Sequence, residues 1–80
     1  MVSKKEYLEI IKKSNEYYDK KYDLSMKLKN DGLLTYNENN EIILNWDDAN
    51  PHQDWMMRRF KEYTVYYNNY QNILNDLVTN

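Results

Sequence analysis

Only two residues in this chain end a helix unaided, Gly32 and Pro51, because glycine and proline occur once each in 80 residues. Such sparse punctuation dictates few, long elements: one segment before residue 32, one after residue 51, and a short connection between them. A chain of this length makes one domain, 1–80, whose single core is marginal without a disulfide, a metal or a partner. There is no cysteine, so neither a disulfide nor a thiolate metal site is open to it, and a reducing compartment is compatible with the composition.

The spacing predicts a helix over about 3–30. Ser3 can cap it, with Glu6 completing a capping box, and Asp31-Gly32 supplies a left-handed stop. Acid–base pairs four apart (Lys5/Glu9, Glu9/Lys13, Lys12/Glu16, Glu16/Lys20, Asp23/Lys27) support an exposed helical face. Residues 33–46 hold two β-rich runs, LLTY and EIILNW, around the polar tetrad Asn37–Asn40, which predicts a hairpin with a four-residue loop. Asn50-Pro51 then reads as an N-cap with proline at the first helical position, opening a helix to about residue 77. The expected architecture is mainly α: two long antiparallel helices joined by a β-hairpin, α-β-β-α, with coiled-coil-like packing.

In the second helix Met56, Phe60, Tyr63, Tyr67, Tyr70, Leu74 and Leu77 alternate in steps of four and three, a heptad seam. The first helix carries two apolar stripes. Leu8, Ile11, Asn15, Tyr18 and Tyr22 are taken as its seam, with Asn15 fixing register; Ile10, Tyr17, Leu24 and Leu28 form a second stripe. The hairpin can cover Leu24 and Leu28, which leaves Ile10 and Tyr17 in need of another surface. A homodimer is therefore expected, with Ile10, Tyr17, Tyr63, Tyr66, Tyr67 and Tyr70 at its interface, since tyrosine supplies contact area at little entropic cost.

No catalytic constellation is visible, and the chain is read as a non-enzyme without cofactor or metal. Ser3, Ser14 and Ser25 have no histidine near them, and His52, the one histidine, matches no zinc spacing. DDANPHQD lacks the central glycine and terminal glutamate of a calcium loop. The lysine pairs 4/5, 12/13 and 20/21 and Arg58-Arg59 are interleaved with acids, and the net charge is −2, so direct nucleic-acid binding is not expected. The longest apolar run, Ile42-Ile43-Leu44, is far short of the roughly 20 residues a bilayer span needs. No apolar stretch follows Met1–Lys5, so no signal peptide is expected and a cytoplasmic location is.

Charge is nevertheless unevenly spread. Residues 30–54 hold six acids (Asp31, Glu38, Glu41, Asp47, Asp48 and Asp54) and no Lys or Arg, and Trp46 and Trp55 flank the turn within that block. Glu38, Glu41, Trp46, Asp47, Asp48, Asp54 and Trp55 are the candidate partner-binding residues, meeting a basic surface: charge speeds the encounter and aromatics hold it. Twelve asparagines, nine tyrosines and nine lysines have A/T-rich codons. In this composition, its size and its lack of cysteine the chain resembles small phage- or mobile-element-encoded proteins that bind and inhibit a host protein. That resemblance implies a non-catalytic binder at work in the host cytoplasm. The alternatives are a homo-oligomeric structural or assembly protein and an acidic nucleic-acid mimic; a small transcription regulator fits poorly, because neither helix has helix-turn-helix spacing.

Overall fold

Each helix begins where a side chain satisfies its free amides. A computed structural model describes residues 3–79; Met1, Val2 and Asn80, counted above in the single domain, lie outside the described residues. The elements run α1 (Lys4–Asn30), β1 (Leu34–Tyr36), β2 (Ile42–Leu44), a short 3-10 turn (Trp46–Asp48) and α2 (Pro51–Thr79). The Ser3 hydroxyl accepts from the Glu6 amide at 3.2 Å. At the start of α2 the cap is reciprocal. The Gln53 amide donates to Asn50 Oδ1 at 2.8 Å while the Asn50 amide donates to Gln53 Oε1 at 2.9 Å, and Pro51 needs no partner in the first position.

α1 ends in a Schellman motif. The Gly32 amide donates to the Lys29 carbonyl and the Leu33 amide to the Leu28 carbonyl, with Gly32 at φ 75°. Nothing approaches the place of a Cβ on Gly32, so the need for glycine there is conformational rather than steric. The chain then forms the antiparallel pair, with Leu34 opposite Leu44, Thr35 opposite Ile43 and Tyr36 opposite Ile42. The loop is one residue tighter than the expected four. Asn37 pairs with Glu41 through a backbone bond, and the Asn37 Oδ1 atom also accepts from the Asn39 and Glu41 amides. That leaves residues 38–40 as the loop, with Asn40 left-handed at φ 61°.

The core sits at the hairpin end. Leu24, Leu28, Leu33, Leu34, Met56, Met57 and Phe60 are buried together, with Leu44, Ala49 and Tyr63 packed against them. Away from that end the two helices have only each other. The molecule measures 47 × 27 × 15 Å with a radius of gyration of 15.3 Å, against about 11.6 Å for a compact domain of this length.

The seam of α2 is the one its spacing predicts, but the seam of α1 is not. Ile10, Ser14, Tyr17, Lys21, Leu24 and Leu28 face α2, all buried or half-buried, and their steps are again four and three. Leu8, Tyr18 and Tyr22, expected inside, are exposed. Both stripes have heptad spacing; the Schellman closure decides between them. It binds Leu33 to Leu28 and so turns Leu28 toward the hairpin and core, and heptad steps back from Leu28 reach Ser14 and Ile10. Ser14 is fully buried, where its Oγ accepts from Gln71 Nε2 at 2.7 Å. The expected ion-pair ladder is also mostly replaced. Asp23–Lys27 forms at 3.2 Å, Lys13 turns to Glu16, and Lys20 lies over tyrosine rings instead of pairing with Glu16.

Truncation separates the two possible seams. Leu28→Ala should cost about 2–5 kcal/mol in urea unfolding of the monomeric chain, as fully buried leucines do, whereas Tyr22→Ala should stay within about 0.5 kcal/mol there. The opposite ranking would mean that α1 is rotated from the orientation described.

Candidate functional site

Three surfaces bear on function. The first is the hairpin-to-helix turn. Trp46 opens the 3-10 turn, where Asn45 Nδ2 donates to Asp48 Oδ2 at 2.6 Å. The Trp46 ring is half-exposed and lies within 6.0 Å of the Arg58 guanidinium and 5.8 Å of the Lys61 ammonium. Arg58 in turn pairs with Asp54 at 2.6 Å. Trp46 also lines a shallow apolar groove with Ile42, Leu44, Phe60 and Val65. Trp55 belongs to a different cluster: His52 stacks on it at 5.8 Å and Arg59 lies over it at 5.7 Å, both from its own helix.

The candidate acids are split as well. Glu38 and Glu41 lie in and beside the hairpin loop, while Asp47 and Asp48 lie beyond β2, roughly 10 Å or more away at strand rise. Asp54 is the one held in an ion pair, and the sequence reading missed the cations that the fold carries into this region. Position alone explains the omission. Arg58 and Lys61 follow the acidic block by only a few residues, and one helical turn swings them back over Trp46.

The second surface is the tyrosine cluster. Tyr17 meets Tyr63, Tyr66 and Tyr70 of α2 at ring-centroid distances of 5.9, 5.1 and 5.8 Å. Lys20 Nζ lies 5.5 Å from both the Tyr17 and Tyr63 rings. Ile10 is half-buried and lines a groove with Glu9, Lys13, Glu16 and Tyr70. The expectation that Ile10 and Tyr17 lack cover within the chain is thus corrected: α2 covers Tyr17. Tyr67 lies on another side of the seam, 5.5 Å from Tyr18, with Lys21 Nζ 5.0 Å from its ring.

The third surface is the α1 stripe that the helix pair leaves bare. Leu8, Tyr18, Tyr22 and Met26 are 52%, 44%, 54% and 40% exposed, with half-buried Ile11 and exposed Asn15 between them. Tyr18 and Tyr22 stack at 6.2 Å. The stripe runs onto the hairpin through a groove lined by Tyr22, Met26, Lys29, Tyr36 and Ile42. The spacing of Leu8, Ile11, Asn15, Tyr18 and Tyr22 predicts a seam; the signal against it is the small Ser14 in register with Leu28.

Among the described residues no cluster of three His, Asp or Glu side chains could hold a metal ion, and no helix is long and apolar enough to cross a membrane. One tyrosine is electrostatically distinct. The Tyr66 hydroxyl donates to Glu62 Oε1 at 3.0 Å, and this bond, followed by the charge of that carboxylate, raises its pKa above the ordinary 10.0. Glu62 Oε2 meanwhile accepts from Arg59 at 3.1 Å.

The folded chain therefore holds the Tyr66 proton more tightly than the unfolded chain does. Its contribution to stability is complete below pH 10.0 and is lost as pH rises beyond that value. In an ultraviolet titration, Tyr66→Phe should remove an ionisation above pH 10.0, and Glu62→Gln should shift it downward. A Tyr66 ionisation that Glu62→Gln leaves in place would refute the pairing.

A scan against protein-family models, a search of curated proteins and a search of solved structures each returned no match for this chain.

Proposed function

We propose that this chain is a non-catalytic protein-binding module that presents apolar and aromatic surface to another protein. The observation that carries the reading is the bare stripe of α1 and its continuation onto Tyr36 and Ile42 of the hairpin. Contiguous apolar surface of this kind marks interaction sites, whereas singly scattered apolar residues do not. The partner is a host protein with a basic surface, and the module is a phage- or mobile-element-encoded inhibitor or modulator acting in the host cytoplasm. Glu38, Glu41, Asp47 and Asp48 are exposed and would favour the encounter. Trp46, over its apolar groove, would serve as the anchor.

Self-association is a second reading, and the regular heptad spacing of Leu8, Ile11, Asn15, Tyr18 and Tyr22 on the bare stripe favours it. The two readings share that stripe, but only the first also uses Trp46 and the acids of the turn. Affinity capture from host extract should therefore compare the wild type with Asp47→Lys/Asp48→Lys and with Trp46→Ala, all three checked for unchanged circular dichroism. The expected result is a captured protein that both variants lose. If the wild type retains nothing beyond what both variants retain, this end of the molecule has no such partner.

A further inference from the structure

We infer that the bare stripe of α1 docks a second copy of this chain, antiparallel, about a two-fold axis near Asn15 and Tyr18. The inference rests on the protein-binding reading above and names the occupant of one surface. Area is the first argument. A compact monomer of 9.9 kDa exposes about 5,200 Å², and this chain exposes 6169 Å². That surplus of roughly 1,000 Å², spread over the elongated chain, is large enough to supply one partner's share of a standard interface, about 800 Å².

Spacing is the second argument. Leu8, Ile11, Asn15, Tyr18, Tyr22 and Ser25 follow steps of three and four, so the stripe keeps facing one direction for about 26 Å of helix. A foreign helix can also use such a stripe, and charge is what selects a second copy. Lys12 and Asp19 are exposed, share the solvent flank of the stripe, and lie on opposite sides of its midpoint. Lys12 lines a shallow groove with Leu8, so it stands at the stripe's edge. A two-fold axis through the midpoint sets Lys12 of each copy against Asp19 of the other, two complementary pairs from one sequence. The same operation lays Ile11 against Tyr22, Asn15 against Tyr18, and Leu8 against Ser25 and Met26. The hairpins then lie at opposite ends of the assembly.

Sedimentation equilibrium of the full chain, with urea unfolding as the control for folding, tests the proposal. The wild type should have about twice the monomer mass. Tyr18→Glu/Tyr22→Glu should be monomeric with an intact fold, since both residues are exposed in the single chain. Lys12→Asp and Asp19→Lys should each weaken association about tenfold, and the charge swap Lys12→Asp/Asp19→Lys should restore it. Restoration is specific to this register. A wild-type monomer overturns the inference, as does a dimer indifferent to Tyr18→Glu/Tyr22→Glu or single variants that the swap does not rescue. A wild-type monomer whose stripe binds a foreign apolar helix also overturns it, yet leaves the protein-binding reading standing; capture by the hairpin end tests that reading separately.

Discussion

The hydrogen bond from the Leu33 amide to the Leu28 carbonyl is the constraint on which the rest of the molecule depends. It can form only because Gly32 takes a left-handed conformation that side chains disfavour. It stops α1, brings Leu33 and Leu34 down beside Leu28, and so chooses which stripe of α1 faces inward. At the same neck Gln53, already engaged in the α2 cap, donates through Nε2 to Asp31 Oδ2 at 3.2 Å. The end of one helix is thereby tied to the start of the other, and the hairpin is held over the core between them.

Two helices and a hairpin of three-residue strands are too thin to hide every apolar side chain. The fold meets this shortage with tyrosine. Its rings meet across the seam, Tyr17 stacked on Tyr70 and tilted against Tyr63. Lys20 and Lys21 then lie over those rings, and for Lys20 cation–π attraction takes the place of the ion pair with Glu16 that spacing suggests. This accounts for the tyrosine-rich run of residues 63–70: Tyr63, Tyr66 and Tyr70 receive Tyr17, and Tyr67 receives Tyr18. The arrangement serves α2 well but leaves Leu8, Tyr18, Tyr22 and Met26 of α1 with water on one side.

Much of the fold was legible because its boundaries rest on local chemistry. Ser3, Gly32, Asn50 and Pro51 act through bonds within a few residues of themselves, and each lies where its own preferences put it. The seam of α2 was legible because it has one apolar stripe with no competitor. On α1 two stripes compete at the same period, and spacing carries no information about rotation. A bond formed beyond the end of the helix selects one of them. The candidate site was less legible for a similar reason. The charge of a segment can be read along the chain, but the counter-charge that Arg58 and Lys61 bring to Trp46 depends on the turn between hairpin and helix.

One consequence concerns how firmness is distributed along the molecule. Among the described residues every fully buried large apolar side chain lies between residues 24 and 60, at the end where the hairpin sits. Toward their other ends the helices meet through tyrosine rings, half-buried Ile10, Leu74 and Leu77, and the Ser14–Gln71 bond. The molecule is thus built like a clothes peg, with its spring at one end and its jaws at the other. Local opening is expected to cost least where fewer apolar side chains are buried, at the jaws.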